Sequence, residues 1–215
     1  MNPEKEPEAL QTVLQGLSLK GDSSSQKPST SPERTLPGNV SMAEWKGVRP
    51  ALRTVLKDAV ANGEWPVLLH GPPGTGKSCA SACVYRDWEY PVARWYRLEQ
   101  FVRDITACRR HGSVSMDVNG RSIDRTERVL WQFAESDQEL WCIDDFGTRQ
   151  VTETAFDIVF ELIDRRSSRP TIVTSNLCLQ ELSELFDRRI ADRLASGTVV
   201  EVTGKSRRKG KRVRV

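Results

Sequence analysis

The sequence predicts an α/β fold built on a five-stranded parallel sheet of order 5-1-4-3-2, with helices on both faces. Three observations carry that expectation. Short apolar runs alternate along the chain with longer segments of helical periodicity. A glycine-rich loop, Gly71-Pro72-Pro73-Gly74-Thr75-Gly76-Lys77-Ser78, separates the first apolar run from the helix after it. A later run, Leu140-Trp141-Cys142-Ile143, ends in two acids, Asp144 and Asp145.

The elements follow in order. Ser41 is placed to cap a helix reaching about Ala61, stopped by Asn62-Gly63. Trp65 to His70 is apolar, ends at a glycine and reads as a buried strand. Lys77 to Trp88 reads as helix, Val92 to Tyr96 as the second strand, and Leu98 to about Arg110 as the next helix. Residues 111–123, with Gly112 and Gly120, read as a polar loop, and Arg125 to Ser136 returns to helix. Leu140 to Ile143 is the third strand and Thr152 to Arg166 a helix. Thr171 to Thr174 follows Pro170 as the fourth strand. Leu179 to Ala195 holds one or two helices, and Thr198 to Val202 is the fifth strand.

Composition divides the 215 residues into three parts. Residues 1–40 read as a polar, disordered tail, because the Ser-, Pro- and Gly-rich stretch 21–39 has too few apolar anchors to offset its ordering entropy. Residues 41–204 form the folded domain. Residues 205–215 form a basic tail with seven Lys/Arg and no acid. The rest of the chain holds 25 basic against 29 acidic residues, so the net charge of +3 belongs to the tail. Such a tail attracts polyanions through counterion release. The five cysteines include no CxxC pair and read as buried apolar residues of a reducing compartment. No apolar run approaches the roughly 18 residues of a membrane span. The polar N-terminus argues against a signal peptide, and a cytoplasmic location is expected. His70 and His111 stand isolated, and the six tryptophans read as packing residues.

The loop Gly71–Ser78 fits GxxxxGK[ST] throughout, in strand–loop–helix context. Its glycines let backbone N–H groups curl around phosphate oxygens, and the helix beginning near Lys77 adds its unpaired N–H groups. ATP is the expected ligand, held by Gly71, Pro72, Pro73, Gly74, Thr75, Gly76, Lys77, Ser78 and the following Cys79. Lys77 reaches the β- and γ-phosphates, and the Ser78 hydroxyl ligates Mg²⁺. Asp144 is assigned to the metal and Asp145 to polarising the attacking water. Asp145-Phe146-Gly147 also spells the kinase DFG, but the chain has neither the GxGxxG loop nor the HRD loop of that set. At the end of the fourth strand Asn176 is expected to face the γ-phosphate and its water; the alternative is a cap for the next helix. Arg189 and Arg193, four apart on one helix face, are read either as partners of Asp187 and Asp192 or as arginines supplied to a neighbouring subunit.

In this order GPPGTGKS, LWCIDDFG, PTIVTSN, RRIADRL and GKSRR resemble the helicase-loader and transposition-helper ATPases of the DnaC/IstB family within the AAA+ class, over roughly residues 45–210. The resemblance implies that Asp144 and Asp145 are the paired acids, Asn176 a first sensor and Arg193 a trans-acting arginine finger beside Arg189. Arg208 matches a second sensor; because Arg207 replaces the family's aromatic, these two arginines stand as alternatives. The segment Leu98–Arg125 occupies the slot of an element that touches single-stranded DNA in related initiators, and it offers Arg103, Arg109, Arg110 and Arg121. A replicative helicase or a transposase is the implied partner, with ATP-dependent self-assembly into a ring or spiral. Only a short segment such as Ala9–Leu19 precedes the domain to grip a helicase, folding on contact. The leading expectation is a loader for a replicative helicase. The rivals are a transposition helper and an ATP-binding adaptor that barely hydrolyses.

Overall fold

A continuous apolar run sets β1 (Val67–His70) in the interior of the sheet: Val67, Leu68 and Leu69 have no exposed surface. The computed structural model describes residues 36–90, 92–118, 121–147 and 152–207; for 117, 118 and 121 it describes the backbone alone. Most of the tail expected over 1–40, and residues 208–215 of the basic tail, lie outside the described residues.

A short 3-10 turn (Trp45–Gly47) leads into α1 (Pro50–Asn62). The helix starts at Pro50 and not at Ser41. Proline at the first helical position has no N–H to leave unpaired, and it holds Arg49 before it in an extended conformation. Gly63, at φ 68°, closes the helix as expected. After β1 come α2 (Lys77–Asp87), β2 (Ala93–Arg97) and α3 (Leu98–His111). The stretch read as a polar loop is instead an antiparallel hairpin, β3 (Val114–Val118) and β4 (Arg121–Arg125). Then follow α4 (Glu127–Ala134), β5 (Leu140–Phe146), α5 (Glu153–Arg166) and β6 (Thr171–Ser175). Helices α6 (Leu179–Leu185) and α7 (Arg188–Ala195) precede β7 (Thr198–Glu201).

The main sheet runs β2-β5-β6-β1-β7, with every pairing parallel. Counted without the hairpin, this is the expected 5-1-4-3-2. Neighbouring residues of each strand face opposite sides. Leu68, Trp141, Ile143 and Val173 pack with α3, α4, α5 and α7 through Phe101, Leu130, Ile158 and Ile190. Val67, Leu69, Cys142 and Ile172 pack with α1 and α2 through Leu56, Ala80 and Cys83.

Away from the glycine-rich loop and the acids of β5, two charged side chains among the described residues are buried. Arg166, at the end of α5, is 1% exposed. Burial pushes its pKa down to about 9. The cation survives at neutral pH because it donates to the carbonyls of Ala134, Ser136, Glu139 and Pro170 and to Thr171 Oγ1. It ties the ends of α4, α5, β5 and β6 together. Asp104 on α3 is 5% exposed; Gln100 donates to its Oδ1 at 2.7 Å, while Oδ2 has no hydrogen-bond partner. Burial raises its pKa, against the Gln100 hydrogen bond and the charge of Arg103. A raised folded-state pKa means the folded chain holds this proton more tightly than the unfolded chain. The ionised carboxylate therefore costs stability above the folded pKa, and that cost fades as pH falls toward the unfolded value. Asp104→Asn removes the titration. Its stability relative to the parent is expected to improve as pH rises above the unfolded carboxylate pKa and to level off once the folded-state pKa is passed, read from urea midpoints at each pH; a pH-independent difference would contradict this.

Candidate functional site

The loop after β1 takes its shape from glycines. Gly71 has φ 134°, and a Cβ there would lie 2.6 Å from the carbonyl oxygen of Val202. Gly74 has φ 80°, and its missing side chain leaves room for Ser206. The loop is also braced from within. Thr75, 2% exposed, donates from its hydroxyl to Pro72 O at 2.9 Å. Lys77, 6% exposed, donates from Nζ to Gly71 O (2.6 Å), Pro72 O (2.9 Å) and Asn176 Oδ1 (3.0 Å). These acceptors take the donors of the ammonium where water is scarce.

The two acids sit on a β-bulge. Ile143 pairs with Val173 and Phe146 with Ser175, so Asp144 and Asp145 together oppose Thr174 alone. Asp145 is the one non-glycine residue among those described with positive φ, at 57°. Its side chain lines the cleft, whereas Asp144 is 3% exposed and turned inward. Ser78 Oγ donates to Asp144 Oδ1 at 2.7 Å. The phosphate-type loop and the acidic turn thus meet side by side, with β6 between their strands.

A cleft of about 650 Å³ lies over this junction, lined by Pro73, Gly74, Gly76, Lys77, Ser78, Cys79, Asp145 and Asn176. Asn176 does not cap the next helix: Cys178 is the N-cap residue of α6, its N–H donating to Glu181 Oε2 at 2.7 Å. The far wall, including Val40, Ala43 and Gly47, comes from a segment that the sequence reading left without a role. Val40, 2% exposed, is its anchor; the apolar residues in Val40-Ser41-Met42-Ala43-Glu44-Trp45 were the available signal. Arg208 lies outside the described residues, and Arg207 lines the cleft. Its backbone N–H donates to Gly74 O at 2.8 Å and its guanidinium to Gly47 O.

Neither Arg189 nor Arg193 lines the cleft. Both guanidinium groups lie over the Phe160 ring of α5, at 4.6 Å and 4.9 Å. Arg189 pairs with Asp187 at 2.8 Å, as the local reading expected. Arg193 pairs across to Asp164 at 2.5 Å, which sequence spacing did not suggest. Of the arginines in the DNA-contact slot, Arg109 pairs with Glu127 at 2.8 Å and Arg103 donates to Gln100 Oε1 at 2.6 Å. Arg110 is exposed, and the side chain of Arg121 lies outside those described.

The donor set suits a hard cation that keeps most of its water. No group of three or more His, Cys, Asp or Glu forms a cage among the described residues. Magnesium needs none: a hydroxyl, one or two carboxylates and phosphate oxygens suffice. Ser78 Oγ against Asp144 Oδ1 supplies the protein's share.

The fold and the loop define a P-loop NTPase of the AAA+ class. A family model for the IstB-like ATP-binding proteins matches residues 56–215, and the chain belongs to that family. No curated protein matches it. Among solved structures it is similar to DnaI, at 16% identity over 78% of this chain and 95% of that one, with a TM-score of 0.58. It is also similar to the DnaC helicase loader, at 11% identity over 73% and 92%, with a TM-score of 0.55. The third is the replication initiator DnaA bound to AMPPCP and single-stranded DNA, at 19% identity, 71% of this chain and a TM-score of 0.56. The chain spans 45% of that DnaA and 47% of DnaA from Aquifex aeolicus.

Proposed function

We propose that the protein is a Mg²⁺-dependent ATPase of the cytoplasm that acts as an ATP-driven switch on DNA, loading a replicative helicase. The observation that carries the ATPase reading is the convergence of three separate sequence motifs within hydrogen-bonding distance: Ser78 on Asp144, and Lys77 on Asn176. The loop N–H groups and the start of α2 take the phosphates. Lys77 stands between the loop carbonyls and Asn176, within reach of a terminal phosphate. When bound, Mg²⁺ would neutralise charge on the phosphate oxygens, held by Ser78 and Asp144. Asp145 takes up the proton of the attacking water, and Asn176 orients that water. Because Arg193 stands outside its own cleft, it serves the cleft of the next subunit in a head-to-tail ring or spiral. Arg207, with Arg208 beside it in sequence, closes the cleft from the C-terminal side.

The DNA reading rests on the family, on the fold shared with DnaC and with DnaA bound to single-stranded DNA, and on seven basic residues in 205–215. The IstB-like family match supports a second reading, a transposition helper whose partner is a transposase. The test is to measure ATPase rate and oligomer size together, with ATP, with and without single-stranded DNA. Rate and size should rise together on DNA; ATP binding without turnover would favour the adaptor. Capture of a hexameric helicase or of a transposase by the tagged full chain separates the two DNA-acting readings.

A further inference from the structure

We infer that Thr174 is a positioning residue that sets both acids of the site at once. It resides on β6, is 2% exposed and pairs in register with Leu69 of β1. Its hydroxyl donates to Asp144 Oδ1 at 2.5 Å and accepts from the backbone N–H of Asp145 at 3.2 Å. With two residues of β5 opposing one of β6, the register shifts at the acids, and the Asp145 N–H donates to the Thr174 hydroxyl. Left-handed backbone at an aspartate is uphill and needs holding. One hydroxyl holds this backbone and spends its proton on the neighbouring carboxylate.

The chemical consequence lies with the cation. Asp144 Oδ1 accepts from Ser78 and Thr174 alike. With Ser78 engaged by Mg²⁺, Thr174 would be the hydroxyl still holding that carboxylate. The same hydroxyl keeps Asp145 facing the cleft. Thr174 does not line the cleft; it acts through the two acids. The inference rests on the proposed ATP–Mg²⁺ site and gives Thr174, within PTIVTSN, a role separate from that of Asn176.

Thr174→Val keeps shape and removes the hydroxyl, and Thr174→Ser keeps the hydroxyl. The experiment measures affinity for a fluorescent ATP analogue in EDTA and across a Mg²⁺ titration, together with Mn²⁺ binding by electron paramagnetic resonance. For Thr174→Val we expect the parent's affinity in EDTA. The Mg²⁺ needed for half-maximal tightening should rise about tenfold, as for the loss of one hydrogen bond to a charged group, and Mn²⁺ binding should weaken in parallel. Thr174→Ser should follow the parent. If Thr174→Val does not fold, Thr174→Cys, whose S–H is a weak donor, carries the test and should shift the Mg²⁺ curve in the same direction. Asp144→Asn separates the two layers of the argument. If it loses Mg²⁺ coupling while the Thr174 variants keep the parent's curve, the inference falls and the ATP site stands. If Asp144→Asn also keeps the parent's curve, the metal assignment beneath both falls.

Discussion

Arg193→Ala is expected to bind ATP as the parent does and to lose the part of its turnover that depends on assembly, a loss of roughly 10³–10⁵ for a trans-acting arginine. The side chain does not line its own cleft, so nucleotide affinity in the monomer should be untouched. It sits instead over Phe160 and against Asp164, on the outer side of α5 and α7. That pair is partly exposed, so its own contribution to stability is small. Removing Arg193 should therefore leave the fold intact and act through the neighbour. The check is steady-state ATPase activity against protein concentration, with and without single-stranded DNA. An unchanged DNA-stimulated rate in the variant contradicts the assignment.

Asp145→Asn is expected to lower turnover by roughly 10²–10⁴, the usual worth of a positioned proton acceptor. ATP and Mg²⁺ affinity should stay near the parent's. The substitution suits the local backbone: asparagine adopts φ near 57° more readily than most residues, so the bulge should survive. Its amide cannot accept the proton of the attacking water. Turnover and equilibrium nucleotide binding on the same preparation decide the matter; wild-type turnover would move the role away from Asp145.

The sheet was legible because its signal is local. Val67–Leu69 and Leu140–Ile143 are buried on both faces, and such strands read as continuous apolar runs ended by glycine or acid. The expected strand order puts β6 between the loop strand and the acidic strand, and the Ser78–Asp144 contact shows the loop and the acids side by side. The hairpin β3–β4 escaped because Ser115, Asp117, Ser122 and Asp124 dilute its alternation into what reads as a polar loop. The dipeptide Asn119-Gly120 between its strands was the missed signal. The start of α1 was misread by weighing Ser41 as a cap above Pro50 as a first helical residue. The positioning by Thr174 was invisible for a different reason. Its importance arises from register and from tertiary contact, which no local pattern records. Arg193–Asp164 is of the same kind, joining residues 29 apart in sequence.

The central claim is that Lys77, gripped by Gly71 O, Pro72 O and Asn176, marks the seat of a triphosphate. Equilibrium ATP binding in the presence of Mg²⁺, for the parent and for Lys77→Ala, tests it most directly. The account predicts saturable binding by the parent and a loss of about two orders of magnitude in the variant, the worth of charge-assisted contacts to phosphate. Equal affinity in the two proteins, or no binding by the parent, would contradict it.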